Sequence, residues 1–175
     1  AYGRSKEQGE QAVRAAGDRH VVLRTAWIYA PHGQNFVRTM LRVGSERGEL
    51  NVVGDQTGSP TAAADIAAAL VEIARQLYAG RAGAFGTFHF CGTGVTTWFD
   101  FAAAIFEQSA RYGVALPRLT RITTQEYPTP AQRPANSALN CGKIAAVYGI
   151  QAPPWQESLS RCLAELHRER EAISP

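Results

Sequence analysis

Two residues at the start of the chain have the types and spacing of a proton-transfer pair. Tyr2 and Lys6 stand four residues apart at the head of residues 2–16, which the sequence predicts to be a helix, so both side chains lie on one helix face. A lysine ammonium beside a phenol favours the phenolate. Such a tyrosine can give a proton to a carbonyl oxygen, or take one from an alcohol, at neutral pH. The alternative is an incidental Tyr/Lys pair on a surface helix.

The first predicted strand supplies a second group of candidates. Residues 20–30 are nearly all apolar and stop at Pro31, which is typical of a parallel strand buried on both faces. Period two places Thr25, Trp27 and Tyr29 on one side of it. Ligands of α/β folds bind at the carboxyl ends of parallel strands, where Trp27 is expected to lie. Burial in the core is the alternative reading for this tryptophan.

Polar residues also follow the next predicted elements. Asn35 is the predicted N-cap of a helix over 36–47. A short strand over 50–53 leads into the loop 54–61. Its side chains Asp55, Gln56, Ser59 and Thr61 could line a cleft together with Asn35. Polar, Gly- and Pro-punctuated loops often carry function, although a plain turn explains this one equally well.

A Pro-rich segment over 124–138 contributes the last candidates. It lacks the excess of charge that is typical of a disordered linker. Its polar residues Arg133, Asn136 and Ser137 could close over the same cleft.

The remaining elements alternate along the chain as in a mainly parallel α/β sheet. They are predicted strands over 87–90 and 119–123, and helices over 62–77, 97–112, 141–148 and 156–170. Helical spacing predicts inward faces at Ala12, Val13 and Ala16, and at Ile66, Leu70, Ile73 and Leu77.

The helix over 97–112 begins with a capping-box pair, Thr97 and Asp100. Its aromatic and apolar stripe, which begins at Trp98, is interpreted as core. The preceding string 92–97 (GTGVTT) lacks the third glycine of the dinucleotide-binding fingerprint and the acidic residue about twenty positions later. We therefore interpret it as a strand-to-helix turn.

Composition excludes several classes of function. The 175 residues carry a net charge of +3, and the Lys and Arg residues are scattered, so we expect neither nucleic acid nor a membrane as a partner. Three cysteines without a CxxC pair suit a reducing cytoplasm. The four histidines lack metal-ligand spacing, so we predict no metal site.

Four motifs, taken in order, resemble one enzyme family. They are YGRSK, LRTAWIYAPHGQNFVRTML, VVGDQTGSPT and ITTQEYPTPAQRPANSALN. Together they are similar to the dTDP-4-dehydrorhamnose reductases of the extended short-chain dehydrogenase/reductase superfamily, and the similarity covers nearly the whole chain. The first motif is shared across the superfamily, whereas the other three are more specific.

The resemblance implies roles for individual residues. Tyr2 would donate the proton to the C4 oxygen of the sugar and would also contact the cofactor. Lys6 would lower the pKa of Tyr2 and hydrogen-bond the nicotinamide ribose. Thr25 and Ala26 would lie near the nicotinamide, while Trp27 would pack against the sugar nucleotide.

On the same grounds, Asn35, Arg133 and Asn136 would contribute to binding the substrate. The implied cofactor is NADPH or NADH, and the implied partner is a dTDP-sugar, which is reduced to dTDP-L-rhamnose in the cytoplasm. The resemblance leaves a homodimer open.

The implied fold is α/β, part of a doubly wound, mainly parallel Rossmann-type fold with a smaller substrate-binding lobe. Residues 1–175 would form the C-terminal part of one NAD(P)-binding reductase. The N-terminal half, with its glycine-rich loop and catalytic Ser or Thr, would be missing, so we expect the chain alone to be inactive. The alternatives are another sugar-nucleotide epimerase, dehydratase or reductase of the superfamily, and a non-catalytic regulatory subunit.

Overall fold

The computed structural model describes residues 2–81, 83–131 and 133–173. The helices in these ranges are α1 (Tyr2–Ala16), α2 (Phe36–Glu46), α3 (Ala63–Tyr78), α4 (Trp98–Ser109), α5 (Gly142–Tyr148) and α6 (Trp155–Ile173), with a short 3-10 helix at Ala110–Tyr112. The strands are β1 (Val21–Arg24), β2 (Ile28–Tyr29), β3 (Glu49–Val53), β4 (Thr57–Gly58), β5 (Thr61–Ala62), β6 (Gly86–His89), β7 (Thr96–Thr97) and β8 (Arg118–Ile122).

The strands pair mainly in parallel. β1 pairs with β6, β2 with β5 and β3 with β8, all parallel, whereas β4 and β7 pair antiparallel. Helices lie between the partners along the chain, as parallel pairing requires, because a tight hairpin cannot join two parallel strands. The predicted α/β class with a mainly parallel sheet is confirmed.

The prediction of one strand over residues 20–30 is wrong. The segment divides into β1 and β2, which pair with different partners. The break lies at Trp27, whose φ of 51° belongs to the left-handed region that a β-strand cannot contain. β1 is also only half-buried, and its last residue, Arg24, is exposed. Local β propensity is the same on both sides of the break, so the pattern of residues does not reveal it.

The predicted helix caps are confirmed. Asn35 Oδ1 accepts from the Arg38 N–H at 3.2 Å at the start of α2. Thr97 Oγ1 accepts from the Asp100 N–H at 3.1 Å at the start of α4.

Two predicted helix faces differ from the observed ones. Val13 on α1 is 44% exposed, and Ala12 and Ala16 are exposed as well, so the apolar stripe of α1 faces outward. On α3, Ile73 is buried as predicted, but Ala69 is buried in place of Leu70, which is 47% exposed. Positions 69 and 70 both neighbour Ile73 on a helix surface, so spacing alone does not separate them.

The core is organised around α4. One side of α4 contributes Phe101 and Ile105 to a cluster with Tyr29 and with residues of α2 and α6. Its other side packs Ala102 and Phe106 against β3. A separate cluster joins β6, α3 and α5. Because α4 packs into two core clusters, its first turn, which begins at Trp98, is firmly held.

None of the helices within the described ranges is both long enough and apolar enough to cross a membrane.

Candidate active site around Trp27

Trp27 follows the carboxyl end of β1, after Thr25 and Ala26, and has a strained backbone conformation. Among the residues that the structure describes, it is the only non-glycine residue with a positive φ. For an L-residue the left-handed region costs about 1–2 kcal/mol. Such a conformation persists only where the surroundings enforce it, and strained residues of this kind cluster at functional sites.

The indole of Trp27 is held from three directions. It stacks on the ring of Trp98 with centroids 3.5 Å apart and planes 9° from parallel. Its Nε1–H donates to Ser137 Oγ at 2.9 Å, and the Ser137 hydroxyl donates in turn to the Thr57 carbonyl at 3.0 Å. A methyl group added at Gly58 would lie 2.4 Å from Cε2 of Trp27, so only glycine fits against the ring there.

The supports of Trp27 come from segments that are far apart in sequence. β4 pairs with β7, and Trp98 follows β7 directly. On the other side of β4, the Thr57 N–H donates to the Ala135 carbonyl at 2.8 Å, and the Ser137 N–H donates to the Thr57 carbonyl at 2.9 Å. The Pro-rich segment therefore runs alongside β4 and brings Ser137 to Trp27.

Of the predicted substrate-binding residues, Asn136 is brought next to this frame. It forms a parallel bridge with Thr57, and its Oδ1 accepts from the Ala138 N–H at 2.9 Å. Asn136 and Arg133 are both exposed. The predicted roles of these two residues toward a ligand stay predictions.

Asn35 is committed to local structure. Its Oδ1 caps α2, and its Nδ2 donates to the carbonyls of Ala30 at 2.9 Å and His32 at 3.2 Å. These bonds close the loop that follows β2. A contact of Asn35 with the substrate stays a prediction.

Ser59 and Thr61 do not line a cleft. Both are buried, with 4% and 0% of their surface exposed. Ser59 Oγ donates to the Gly94 carbonyl at 2.9 Å, and Thr61 Oγ1 accepts from the Gly92 N–H at 3.2 Å. The expectation that these hydroxyls face a ligand is wrong, because β5 turns this end of the loop into the interior.

Thr25 and Ala26 lie between β1 and Trp27, where the resemblance places the nicotinamide. The Thr25 hydroxyl is buried and makes no hydrogen bond within residues 2–81, 83–131 and 133–173. Leaving a buried hydroxyl without a partner costs about 1–3 kcal/mol. The cofactor-binding role of Thr25 and Ala26 stays a prediction.

Tyr2 and Lys6 both belong to α1, so their spacing places them one turn apart on one helix face. The side chain of Tyr2 lies outside what the structure describes. Lys6 is exposed. The proton-transfer role of the pair stays a prediction.

Glu10 attaches this helix to the strand that leads into the site. Its carboxylate accepts from Arg24 Nε at 2.7 Å and from Arg24 Nη2 at 2.6 Å, and also from Arg14 Nη2 at 2.6 Å. The Arg24 hydrogen bonds are the main reason that the pKa of Glu10 is lowered. Arg24 ends β1, so one bidentate pair links α1 to the residue before Thr25.

Two carboxylates anchor the start of the Pro-rich segment. Asp55 accepts from the Thr124 N–H at 3.0 Å and from the Thr124 hydroxyl at 2.7 Å. Glu126 accepts from the Thr123 N–H at 2.7 Å. The threonine N–H groups are the main cause of the lowered pKa of both carboxyls. The loop after β3 is thereby tied to the segment that carries Ser137.

Trp98 and Gly58 are the contacts of Trp27 that sequence reasoning missed. The core prediction for this stripe of α4 is confirmed, since Ala102, Ile105, Phe106 and Ser109 are buried and the half-buried Trp98 packs against two core clusters. Trp98 also covers Trp27, which the pattern did not predict. One signal was available. The predicted capping box starts a helix at Thr97, which places Trp98 in the first helical turn, beside the loops at the strand ends.

No three His, Cys, Asp or Glu residues in the described part of the chain lie close enough together to hold a metal ion. Cys91, Cys141 and Cys162 are free thiols, and burial raises the pKa of Cys162 to about 12.

The fold and the site define an α/β protein with parallel strand pairs and an aromatic site at the carboxyl end of β1. The chain belongs to the RmlD substrate binding domain family, whose sequence model matches residues 1–168. A dTDP-4-dehydrorhamnose reductase of Sinorhizobium fredii (strain NBRC 101917 / NGR234) is 46% identical over 91% of this chain and 54% of its own length.

Two solved structures resemble the chain closely. The dTDP-4-dehydrorhamnose reductase of Clostridium acetobutylicum has a TM-score of 0.85 at 36% identity, over 94% of this chain and 55% of its own. That of Bacillus anthracis, in complex with NADP, has a TM-score of 0.81 at 36% identity, over 94% and 54%. The chain thus spans about half the length of the relatives it matches.

Proposed function

We propose that this chain forms the substrate-side part of a dTDP-4-dehydrorhamnose reductase. The enzyme would reduce the C4 carbonyl of dTDP-4-dehydro-6-deoxy-L-mannose with NADPH or NADH and release dTDP-L-rhamnose. One observation carries the proposal. Three of the motifs that resemble the family, although far apart in sequence, supply Trp27, Gly58 and Ser137 to one contact.

The chain would act as one unit over residues 1–175. β1 and β6 would be late strands of the cofactor-binding sheet, and the β4–β7 pair with the Pro-rich segment would build the substrate lobe. Family membership and the parallel pairing of β1 with β6 support this division.

Tyr2 would donate its phenolic proton to the C4 oxygen as the carbonyl is reduced. Lys6, one helical turn away, would stabilise the phenolate that remains, because a cation favours the charged form of its neighbour. The link between Glu10 and Arg24 would hold the helix of this pair at a constant position relative to Thr25. A positioned proton donor contributes about 10²–10⁴-fold to the rate of such a reaction.

The chain would contact the nicotinamide end of the cofactor. Thr25 would offer its unsatisfied hydroxyl, and Ala26 its small side chain, beside the ring. The 175 residues contain no glycine-rich fingerprint, so they would not bind the pyrophosphate of the cofactor. When bound, the reduced nicotinamide supplies the hydride that C4 receives.

The sugar nucleotide would lie against the half-buried indole of Trp27. Arg133 and Asn136 are exposed in the segment that carries Ser137, and they would offer the donors that a diphosphate and sugar hydroxyls require. Asn35 would act at the loop that it closes after β2.

The direct test measures NADPH oxidation with the dTDP-4-keto-sugar by the protein that contains this chain. Tyr2→Phe should lower kcat about 10²–10⁴-fold, because the ring stays while the proton donor is lost. Tyr78→Phe is the matched control, since Tyr78 is 97% exposed on α3. An unchanged rate in Tyr2→Phe would show that the assigned role is wrong.

A panel of other sugar nucleotides completes the test. Preferential turnover of a UDP- or GDP-linked sugar would replace the proposed substrate with another of the same superfamily. NADPH binding without turnover of any sugar nucleotide would indicate a regulatory subunit. The homodimer and the cytoplasmic location stay predictions.

A further inference from the structure

The stacked arrangement of Trp27 and Trp98 is not one that two indoles favour by themselves. A centroid separation of 3.5 Å with planes 9° apart leaves little lateral offset between the rings. Aromatic pairs prefer offset or edge-to-face geometries, because their quadrupoles repel in a face-to-face sandwich. The pair is therefore held by the frame around it.

Trp98 is the better fixed of the two rings. It is the first residue of α4, behind the capping residue Thr97 in the β4–β7 pair. The ring of Phe36 packs against it with centroids 4.6 Å apart, and Phe101 lies behind at 6.5 Å. Trp27, in contrast, lies between strands in a strained backbone conformation.

We propose that Trp98 is a positioning residue for substrate binding, and that it acts by holding the indole of Trp27 in its orientation. This role rests on the proposed function, in which Trp27 contacts the sugar nucleotide. Trp98 covers one face of the Trp27 indole, and Ser137 accepts the hydrogen bond from the Trp27 Nε1–H. Gly58 has no side chain, so the edge of the Trp27 ring fits against its backbone. The part of Trp27 that stays exposed is thereby presented in one orientation.

Removing the Trp98 ring should weaken binding of the sugar nucleotide and leave binding of NADPH unchanged. When the supporting ring is removed, the indole of Trp27 can adopt other side-chain conformations, and the ligand must select the competent one. The affinity for the dTDP-sugar should fall, whereas binding of NADPH, assigned to Lys6, Thr25 and Ala26, should not. A residue that merely stabilised the fold would weaken both ligands together.

The experiment compares Trp98→Ala and Trp98→Phe with Phe99→Ala in the protein that contains this chain. Phe99 is the next residue of α4 and packs against Arg121, with the guanidinium carbon 4.3 Å from its ring centroid, away from Trp27. KM for the dTDP-sugar should rise about tenfold in Trp98→Ala. Trp98→Phe should recover most of this loss, while KM for NADPH stays constant in all three variants.

Circular dichroism supplies a readout that does not depend on activity. Stacked indoles whose transition dipoles are crossed give an exciton couplet in the far ultraviolet. We expect this couplet from Trp27 and Trp98; Trp27→Phe and Trp98→Phe should each abolish it, and Phe99→Ala should keep it. Ser137→Ala is the second variant if Trp98→Ala fails to fold. It removes the hydrogen bond to Trp27 without a core cavity, and should raise KM for the dTDP-sugar a few-fold.

Different results would contradict the proposed function and the positioning role of Trp98. If the unsubstituted protein does not turn over the dTDP-sugar, the proposed function is wrong. In an active protein, the positioning role is overturned by a couplet that survives Trp98→Phe, or by an unchanged KM for the dTDP-sugar in Trp98→Ala. A parallel loss of affinity for NADPH would also overturn it, because that result indicates a structural role only.

Discussion

Gly44→Ala, in the middle of α2, should have two opposite effects on the free energy of unfolding. Replacing a mid-helix glycine with alanine stabilises an exposed helix by about 0.5–1 kcal/mol. Gly44, however, is buried against α4. An added methyl group would lie 2.4 Å from Cε1 and 2.7 Å from Cζ of Phe106, and 3.4 Å from Cγ of Pro117.

Contacts this short force the Phe106 ring or the helix itself to move. Phe106, on α4, is 2% exposed and packs against β3, so the ring has little room to rotate. Overpacking of a well-packed core costs about 1–3 kcal/mol. The steric cost exceeds the gain in helix propensity, and we expect Gly44→Ala to lower the free energy of unfolding by about 1–2 kcal/mol.

The assay is urea unfolding followed by circular dichroism, with Gly9→Ala as the matched control. Gly9 lies within α1, and no heavy atom of the described residues outside its own helix backbone and chain neighbours lies within 4 Å of the added methyl group. Gly9→Ala should therefore stabilise by about 0.5–1 kcal/mol.

A third variant identifies the ring as the obstacle. Phe106→Leu removes Cε1 and Cζ, so adding Gly44→Ala to it should be neutral or stabilising, and the two substitutions should be strongly non-additive. If Gly44→Ala alone were as stabilising as Gly9→Ala, the interface between α2 and α4 would relax freely and the steric reasoning would be refuted.

Two further predictions concern the polar links to the site. Glu10→Gln should speed amide hydrogen exchange along α1, because a neutral amide replaces the carboxylate that Arg24 chelates; unchanged exchange would show that other contacts hold the helix. The pKa values of Asp55 and Glu126 are lowered in the folded chain. Their stabilising contribution is therefore present above about pH 4 and is lost as the pH falls through the folded values. Asp55→Asn should flatten the decline of the urea midpoint below about pH 4, and an equally steep decline would contradict the role of the Thr124 bonds.

Much of the local structure could be predicted from the residues alone. The caps at Asn35 and Thr97 follow from side chains that bond the free N–H groups of the first helical turn. Alternation of helices with apolar strands predicted the parallel pairing, because parallel strands need a long crossover. The caps depend on neighbours within a few positions, and the pairing mode depends on the order of helices and strands; both can be read from the sequence.

The spacing of apolar residues does not by itself decide which face of a helix is buried. Ala69 and Leu70 are both placed by spacing beside Ile73, and hydrophobicity favours leucine for the core. The fold buries the alanine, because the choice depends on the element that packs against α3 and not on the helix itself.

Sequence alone determined which side chains were available for chemistry and which family they resemble. It did not determine the site. The preference of Trp27 for extended backbone is overridden by Trp98, Ser137 and Gly58, the last two of which reach it through β4. A strained φ persists because contacts distant in sequence offset its cost together, and those contacts exist only once the chain has folded.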